Sequence, residues 1–159
     1  MSNELEIHLT LVPIIRKDFC YSNNLKENLK IFQDKEGYKY TFIKLSNGNW
    51  PDQPMLTRRA KGNLLHEFAK IEHHKDFLLE SCGYLVSRVK IEVPPWSELV
   101  PIFKTDDTYY EAHIKVKIHQ KDEGLLALAA QEINGHLSKN AFKKLDGDYN
   151  ERFINQDKY

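Results

Sequence analysis

Hydrophobic and polar residues alternate along much of this chain, which is the pattern of β-strands that bury one face. The alternation is clearest from Tyr109 to His119, and it recurs from Leu5 to Leu11, ahead of Pro13. Other segments of the same kind predict further strands, which run from Tyr38 to Leu45, Tyr84 to Val93, His136 to Phe142 and Glu151 to Tyr159. The last of these is predicted to lie at a sheet edge.

Apolar residues at spacings of three, four and seven predict helices between these strands. The first helix begins at Asn23 or Asn24 and ends before Gly37, and its apolar stripe is Leu25, Leu29 and Phe32. The second begins at Thr57 and ends before Gly83, and its core-facing stripe is Leu64, Phe68, Ile71 and Leu78. Residues 46–54, which precede this helix, are rich in turn-forming residues and predict the longest loop of the chain.

A third, short helix is predicted from Asp122 or Glu123 through Ile133, before Asn134 and Gly135. The predicted order is β-α-β-α-β-β-α-β, followed by a last strand. No linker or low-complexity segment divides it, so the sequence predicts a single α+β domain over residues 1–159. Helices of this number and length cover one face of a sheet and leave the other for water or a ligand.

Composition excludes several classes of protein. The chain is 41% hydrophobic, and its 23 basic and 23 acidic residues give no net charge, so no overall field attracts double-stranded DNA or a membrane surface. Its apolar stretches are far shorter than the roughly 20 residues of a membrane span, and its first residues do not resemble a signal peptide, so we expect a cytoplasmic protein. Cys20 and Cys82 are each expected to be a reduced, buried thiol.

Two strands carry the same pattern of candidate chemistry. Glu6-Ile7-His8-Leu9-Thr10 and Glu111-Ala112-His113-Ile114-Lys115 each place an acid, a histidine and a polar residue on one face. Arg88 and Lys90 on another strand would add cations if they face the same way. Imidazoles transfer protons near neutral pH and cations balance phosphate oxygens, so this set of residue types suits phosphate chemistry.

The chain resembles the two-histidine phosphoesterases, the superfamily of RNA 2′,3′-cyclic phosphodiesterases and 2′-5′ RNA ligase-like (LigT-like) proteins. That family carries two copies of His, apolar, Thr or Ser, apolar. Here His8-Leu9-Thr10-Leu11 matches fully, and His136-Leu137-Ser138-Lys139 matches except at its last position. The resemblance implies a duplicated α/β sandwich with a mainly antiparallel sheet, helices over one face and a polar cleft on the other.

The function that the resemblance implies is hydrolysis of a cyclic phosphate or a phosphodiester in a nucleotide or RNA end, without a metal or cofactor. His8 would be one proton-transfer group and either His113 or His136 the other, with Thr10, Ser138 and Lys115 holding phosphate. The alternative is a module of the same fold that binds a nucleotide or phosphorylated metabolite without catalysis. Lys115 favours the alternative because the family has Thr or Ser there. A structural subunit of a larger assembly is a third hypothesis.

Two other groups of residues have weaker claims. Arg58 and Arg59, at the predicted helix start, are a secondary candidate for holding phosphate, together with the backbone N–H groups there. His66, His73 and His74 lack the spacing of a metal site and are expected on a solvated helix face.

Overall fold

Three α-helices and seven strands make up the residues that the computed structural model describes, which are 4–14, 24–46, 50–102, 108–143 and 145–158. The strands are β1 (Glu4–Pro13), β2 (Lys39–Leu45), β3 (Asp52–Lys61), β4 (Tyr84–Glu92), β5 (Tyr110–His119), β6 (His136–Asn140) and β7 (Tyr149–Lys158). The helices are α1 (Asn24–Glu36), α2 (Leu64–Cys82) and α3 (Glu123–Glu132). The predicted α+β class is confirmed, and the strand pairs described below are antiparallel.

The chain divides into two compact units. The first is formed by Met1–Tyr40 and Pro54–Phe103, and the second by Thr41–Gln53 and Lys104–Tyr159. In the first unit β1 lies between β3 and β4. In the second, β7 lies between β5 and β6, and β6 also pairs with β2. The sequence predicted a single domain over residues 1–159. Whether the two units unfold together, as one domain would, stays a prediction.

The core of the first unit is built on one face of β1. Alternate residues of this strand are fully buried, and they are Leu5, Ile7, Leu9 and Leu11. They share a cluster with buried residues of α1 and α2, among them Leu29, Phe32, Ile71 and Leu78. The predicted arrangement, in which helices cover one face of this strand and polar side chains occupy the other, is confirmed for β1.

The core of the second unit is smaller and centres on α3 and β7. Ala130 and Ile154 are buried. Arg152 on β7 holds the first residue of α3 through an ion pair with Glu123, Nη2 to Oε1 2.6 Å. At the other end of the helix, Gln156 donates to the carbonyl oxygen of Ile133 at 2.7 Å. These contacts at both ends of α3 tether it to β7.

The second helix is present, but its predicted start at Thr57 is wrong, and the loop predicted over residues 46–54 extends too far, because Asp52–Lys61 form strand β3. His8 faces Thr57 and Ile7 faces Arg58 in the pairing of β3 with β1. The helix begins only at Leu64, where the Asn63 side chain caps it by accepting from Leu65 N at 2.8 Å. The alternating pattern of β3 is interrupted at Arg58, a charged residue at a buried position where an apolar residue is expected. For this reason the sequence did not predict the strand.

The stripe predicted for α2 is also partly wrong. Ile71 and Leu78 are buried as expected, but Phe68 is exposed, and the stripe is completed by Glu67 and His74. Arg58 donates to the Glu67 carboxylate, and His74 lies between Tyr38 and Glu36, at 3.1 and 3.2 Å. Burial of these polar groups is tolerated because each has a partner. His74 therefore does not lie on a solvated face, whereas His66 and His73 do.

Two strand predictions need smaller corrections. A bulge lies between Arg88 and Val86 in β4, so that Val86 packs against the core and Leu85 is exposed, the reverse of simple alternation. The last strand is not at an edge, because β7 pairs on both sides. The predictions for α1, β5 and α3 are confirmed within one or two residues, and Gly37 ends α1 with a φ of 73°.

Among the described residues, no helix is both long and apolar enough to cross a membrane. Cys82 is a free, buried thiol, and burial raises its pKa to about 11. Cys20 lies outside the described residues.

Candidate functional site

Two histidines of the second unit lie in one row across its sheet. His113 on β5 and His136 on β6 are both paired with Asn155 on the strand between them. Directly opposed residues of antiparallel strands project from the same face. The two imidazoles therefore share a face on either side of Asn155, with their Cα atoms two strand spacings, roughly 10 Å, apart.

The side-chain amide of Asn155 links His113 to Ser138, which lies two residues after His136 on β6. Its Oδ1 lies 2.7 Å from His113 Nδ1, and its Nδ2 donates to Ser138 Oγ at 2.9 Å. Ser138 is buried, whereas the His113 side chain is 47% exposed. Glu111 Oε2 lies 3.5 Å from the other ring nitrogen, Nε2. The result is a ring oriented from one side by an amide, with its second nitrogen toward a carboxylate and solvent.

The backbone ahead of His136 explains how this histidine reaches the row. A Cβ at Gly135 would lie 2.8 Å from Ile154 Cγ2 and 3.3 Å from the carbonyl oxygen of Asn155, so only glycine allows β6 to begin this close to β7. Asn134 precedes it with a φ of 53°, a left-handed conformation that asparagine tolerates well. The Asn-Gly pair predicted to end α3 thus also delivers His136 beside Asn155.

Two lysines meet at Glu151, which lies four residues before Asn155 on β7 and on the same strand face. Lys115 and Lys143 both contact Glu151, with Nζ to Oε2 distances of 2.9 and 2.8 Å. The hydrogen bond from Lys143 is the main reason that the pKa of Glu151 is lowered. Lys115 also lies over the Phe153 ring, 5.8 Å from its centroid. The Glu151 carboxylate is therefore shared by two ammonium groups.

The polar face of the first unit gathers the residues predicted around His8. The pairing places Lys90 opposite His8 and Arg88 opposite Thr10. The condition on which the prediction depended, that Arg88 and Lys90 face the same way as His8, is therefore met. Thr57 faces His8 from the other side.

Both ring nitrogens of His8 lie close to protein groups of its own unit, although only Nδ1 makes a hydrogen bond among the described residues. Nδ1 lies 2.9 Å from Thr57 Oγ1 and Nε2 lies 3.4 Å from Glu92 Oε1, and the side chain is only 13% exposed. Lys90 Nζ lies 2.6 Å from the same carboxylate oxygen. Burial alone would raise the pKa of Glu92, but the contacts from His8 and Lys90 outweigh it and lower that pKa to about 2. His8 thus packs beside the ion pair of Lys90 with Glu92.

The anion site predicted at Arg58 and Arg59 rests on a helix that does not begin there. The two side chains project from opposite faces of β3. Arg58 is buried against Glu67 and lies over the Tyr38 ring, 5.3 Å from its centroid. Arg59 is exposed and its Nε lies 3.4 Å from Glu6 Oε2. They do not form a joint cradle for phosphate.

Sequence reasoning missed Asn155, Glu92 and Glu111 as partners of the histidines. Asn155 lies in a segment with weak alternation and matches no motif, so only the pairing of β7 with both neighbours reveals it. The alternation places Glu111 and Glu92 on the polar faces of their strands, but it does not show which residues they contact, because that depends on side-chain geometry.

No protein-family model matches the chain, and no curated protein matches it either.

Proposed function

We propose that this protein is a metal-independent phosphoesterase that acts on a cyclic phosphate or phosphodiester of a nucleotide or RNA end, with His113 and His136 as its proton-transfer pair. The observation that carries the proposal is their shared pairing with Asn155. Two imidazoles on one face of the sheet, one on each side of Asn155, are the kind of pair that general acid and base catalysis uses.

The proposed reaction needs one unprotonated and one protonated imidazole. One ring takes a proton from water as the water oxygen bonds to phosphorus. The bond from phosphorus to the ribose oxygen breaks, and the other ring gives its proton to that oxygen. The product is a phosphomonoester with a free hydroxyl, and the two protons balance.

Groups around the pair suit the charge of the substrate. Lys115, two residues from His113 on the same strand face, would balance the non-bridging oxygens as charge builds up on them. Ser138 would hold the phosphate less directly, since it is buried and already accepts from Asn155. The resemblance also gives His8 a role in proton transfer, which stays a prediction.

Hydrolysis of 2′,3′-cyclic nucleotides, measured with and without a chelator, tests the proposal. We expect turnover that the chelator does not change, and a loss on the order of 10²- to 10⁴-fold in kcat for His113→Ala and for His136→Ala. His73→Ala is the matched control, because His73 is an exposed histidine on α2, and it should keep full activity. The kcat should fall on both sides of an optimum, because each ring works in only one protonation state.

A pH profile that is flat from pH 5 to 9 would argue against a pair of imidazoles. If His113→Ala and His136→Ala are as active as the control, the two histidines are not the catalytic pair. The variant His8→Ala belongs in the same series: a comparable loss there would add His8 to the catalytic groups.

A second candidate function is phosphate or nucleotide binding without catalysis. The specific observation in its favour is that the His8 side chain is only 13% exposed, with Nδ1 2.9 Å from Thr57 Oγ1 and Nε2 3.4 Å from Glu92 Oε1. A ring with so little exposure is poorly placed to contact a substrate. A raised melting temperature with nucleotides, in the absence of any turnover, would favour this function over the enzyme.

A further inference from the structure

The chain of hydrogen bonds from Ser138 through Asn155 to His113 has a direction. An amide offers hydrogens only on its nitrogen and lone pairs only on its oxygen. Asn155 Nδ2 donates to Ser138 Oγ at 2.9 Å, so the oxygen Oδ1 is the atom that faces His113, at 2.7 Å from Nδ1. Since Oδ1 can only accept, the hydrogen between these two atoms belongs to Nδ1.

This direction decides where the neutral ring carries its lone pair. A neutral imidazole has one N–H and one unprotonated nitrogen. With the hydrogen on Nδ1, the unprotonated atom of His113 is Nε2. That atom lies on the side of Glu111, 3.5 Å from Oε2, on a side chain that is nearly half exposed. A proton taken up at Nε2 would place the resulting positive charge beside the Glu111 carboxylate.

We infer that Asn155 is a positioning residue that holds His113 in its Nδ1–H tautomer, so that Nε2 is the atom through which His113 exchanges a proton in the proposed reaction. The role of Nε2 rests on the proposed function, whereas the tautomer does not. His136, exposed at the first residue of β6, is the other member of the proposed pair.

Nitrogen-15 NMR of the ring nitrogens tests the tautomer without any substrate. At a pH where the ring is neutral, a protonated and an unprotonated nitrogen have well-separated chemical shifts. We expect Nδ1 of His113 to give the protonated shift and Nε2 the unprotonated one. In Asn155→Leu, which removes the acceptor, the preference for Nδ1–H should be lost. The exposed His73 is the internal control, and its shifts should not change.

The variant Asn155→Asp supplies a conservative rescue. Its carboxylate can still accept from His113 Nδ1, and the Ser138 hydroxyl can reverse its role and donate. We therefore expect Asn155→Asp to keep the Nδ1–H tautomer. The same variant also keeps the test open if Asn155→Leu fails to fold.

Kinetics then connect the tautomer to the reaction. If the proposed function holds, Asn155→Leu should lower kcat roughly 10- to 100-fold and change KM much less, as expected on loss of the partner that orients a working histidine. Wild-type His113 with its hydrogen on Nε2, or a tautomer that Asn155→Leu does not change, would overturn the inference. Failure of the proposed function would look different: the tautomer would be as expected, yet no cyclic nucleotide would be turned over.

Discussion

Two adjacent arginines of β3 provide a sharp test of the reasoning about this fold. Arg58 and Arg59 are consecutive, and each forms an ion pair within the first unit, with Glu67 and Glu6 respectively. They differ in burial: Arg58 is 9% exposed, whereas the Arg59 side chain is 84% exposed. Replacing either by Met keeps an unbranched side chain and removes the charge.

We expect Arg58→Met to be much the more damaging. Removing one partner of a buried ion pair costs about 3–5 kcal/mol of unfolding free energy, because the other charge stays buried and unpaired. Lys70 Nζ lies 3.7 Å from Glu67 Oε1 and offers partial compensation, so we place the loss near 3 kcal/mol of that range. For a chain of this size that corresponds to roughly 6–12 °C in Tm. Arg59→Met should cost about 0–1 kcal/mol, since solvent screens its pair.

Urea unfolding followed by circular dichroism measures both variants. The double variant Arg58→Met with Glu67→Leu removes both charges of the buried pair. We expect it to be more stable than Arg58→Met alone, because no charge is left buried. Arg58 Nε, which is buried without a hydrogen-bond partner among the described residues, also disappears. Equal losses in the two single arginine variants, or a double variant less stable than Arg58→Met, would refute the assignment of a buried ion pair.

Two further predictions concern the helices of this fold. Burial lowers the pKa of His74, although Glu36 opposes the shift. As the pH falls through about 6.5, His74 therefore becomes protonated in the unfolded chain before it does so in the folded protein. The free energy of unfolding should therefore decline as the pH falls below about 6.5, and the decline should be smaller in His74→Gln. If the urea midpoints of the two proteins change by the same amount between pH 8 and pH 5, the prediction is contradicted. Gly83 ends α2 with a φ of 71°, so Gly83→Ala should lower the free energy of unfolding by about 1 kcal/mol. Gly124 lies in α3, where an added Cβ meets nothing within 4 Å, so Gly124→Ala should raise the free energy of unfolding by up to about 1 kcal/mol. Melting temperatures that shift in the same direction for both glycine variants would speak against this account.

Alternation and capping residues were enough to predict most elements, because both are local properties of the chain. The pattern around His8 and around His113 correctly assigned which side chains share a face, since successive residues of a strand must point to opposite sides. Gly37 marked the end of α1 for an equally local reason, its left-handed backbone. The resemblance to two-histidine phosphoesterases drew attention to His136 and Ser138, which lie beside Asn155 and on its face.

What local patterns could not supply was the identity of partners far apart in the chain. Strand β3 was hidden because Arg58 occupies a buried position, and that burial depends on partners such as Glu67, a residue of α2 that lies nine positions later. The bulge in β4 follows from its pairing with β1 and is invisible in β4 alone.

The candidate site shows the same division. The sequence by itself determined the residue types and the face on which each histidine lies within its own strand. Tertiary structure decided that His113 and His136 flank one asparagine, because strand pairing brings together residues that are 42 and 19 positions from Asn155. The tautomer of His113 depends on that pairing, since a hydrogen bond across strands exists only once the register is set.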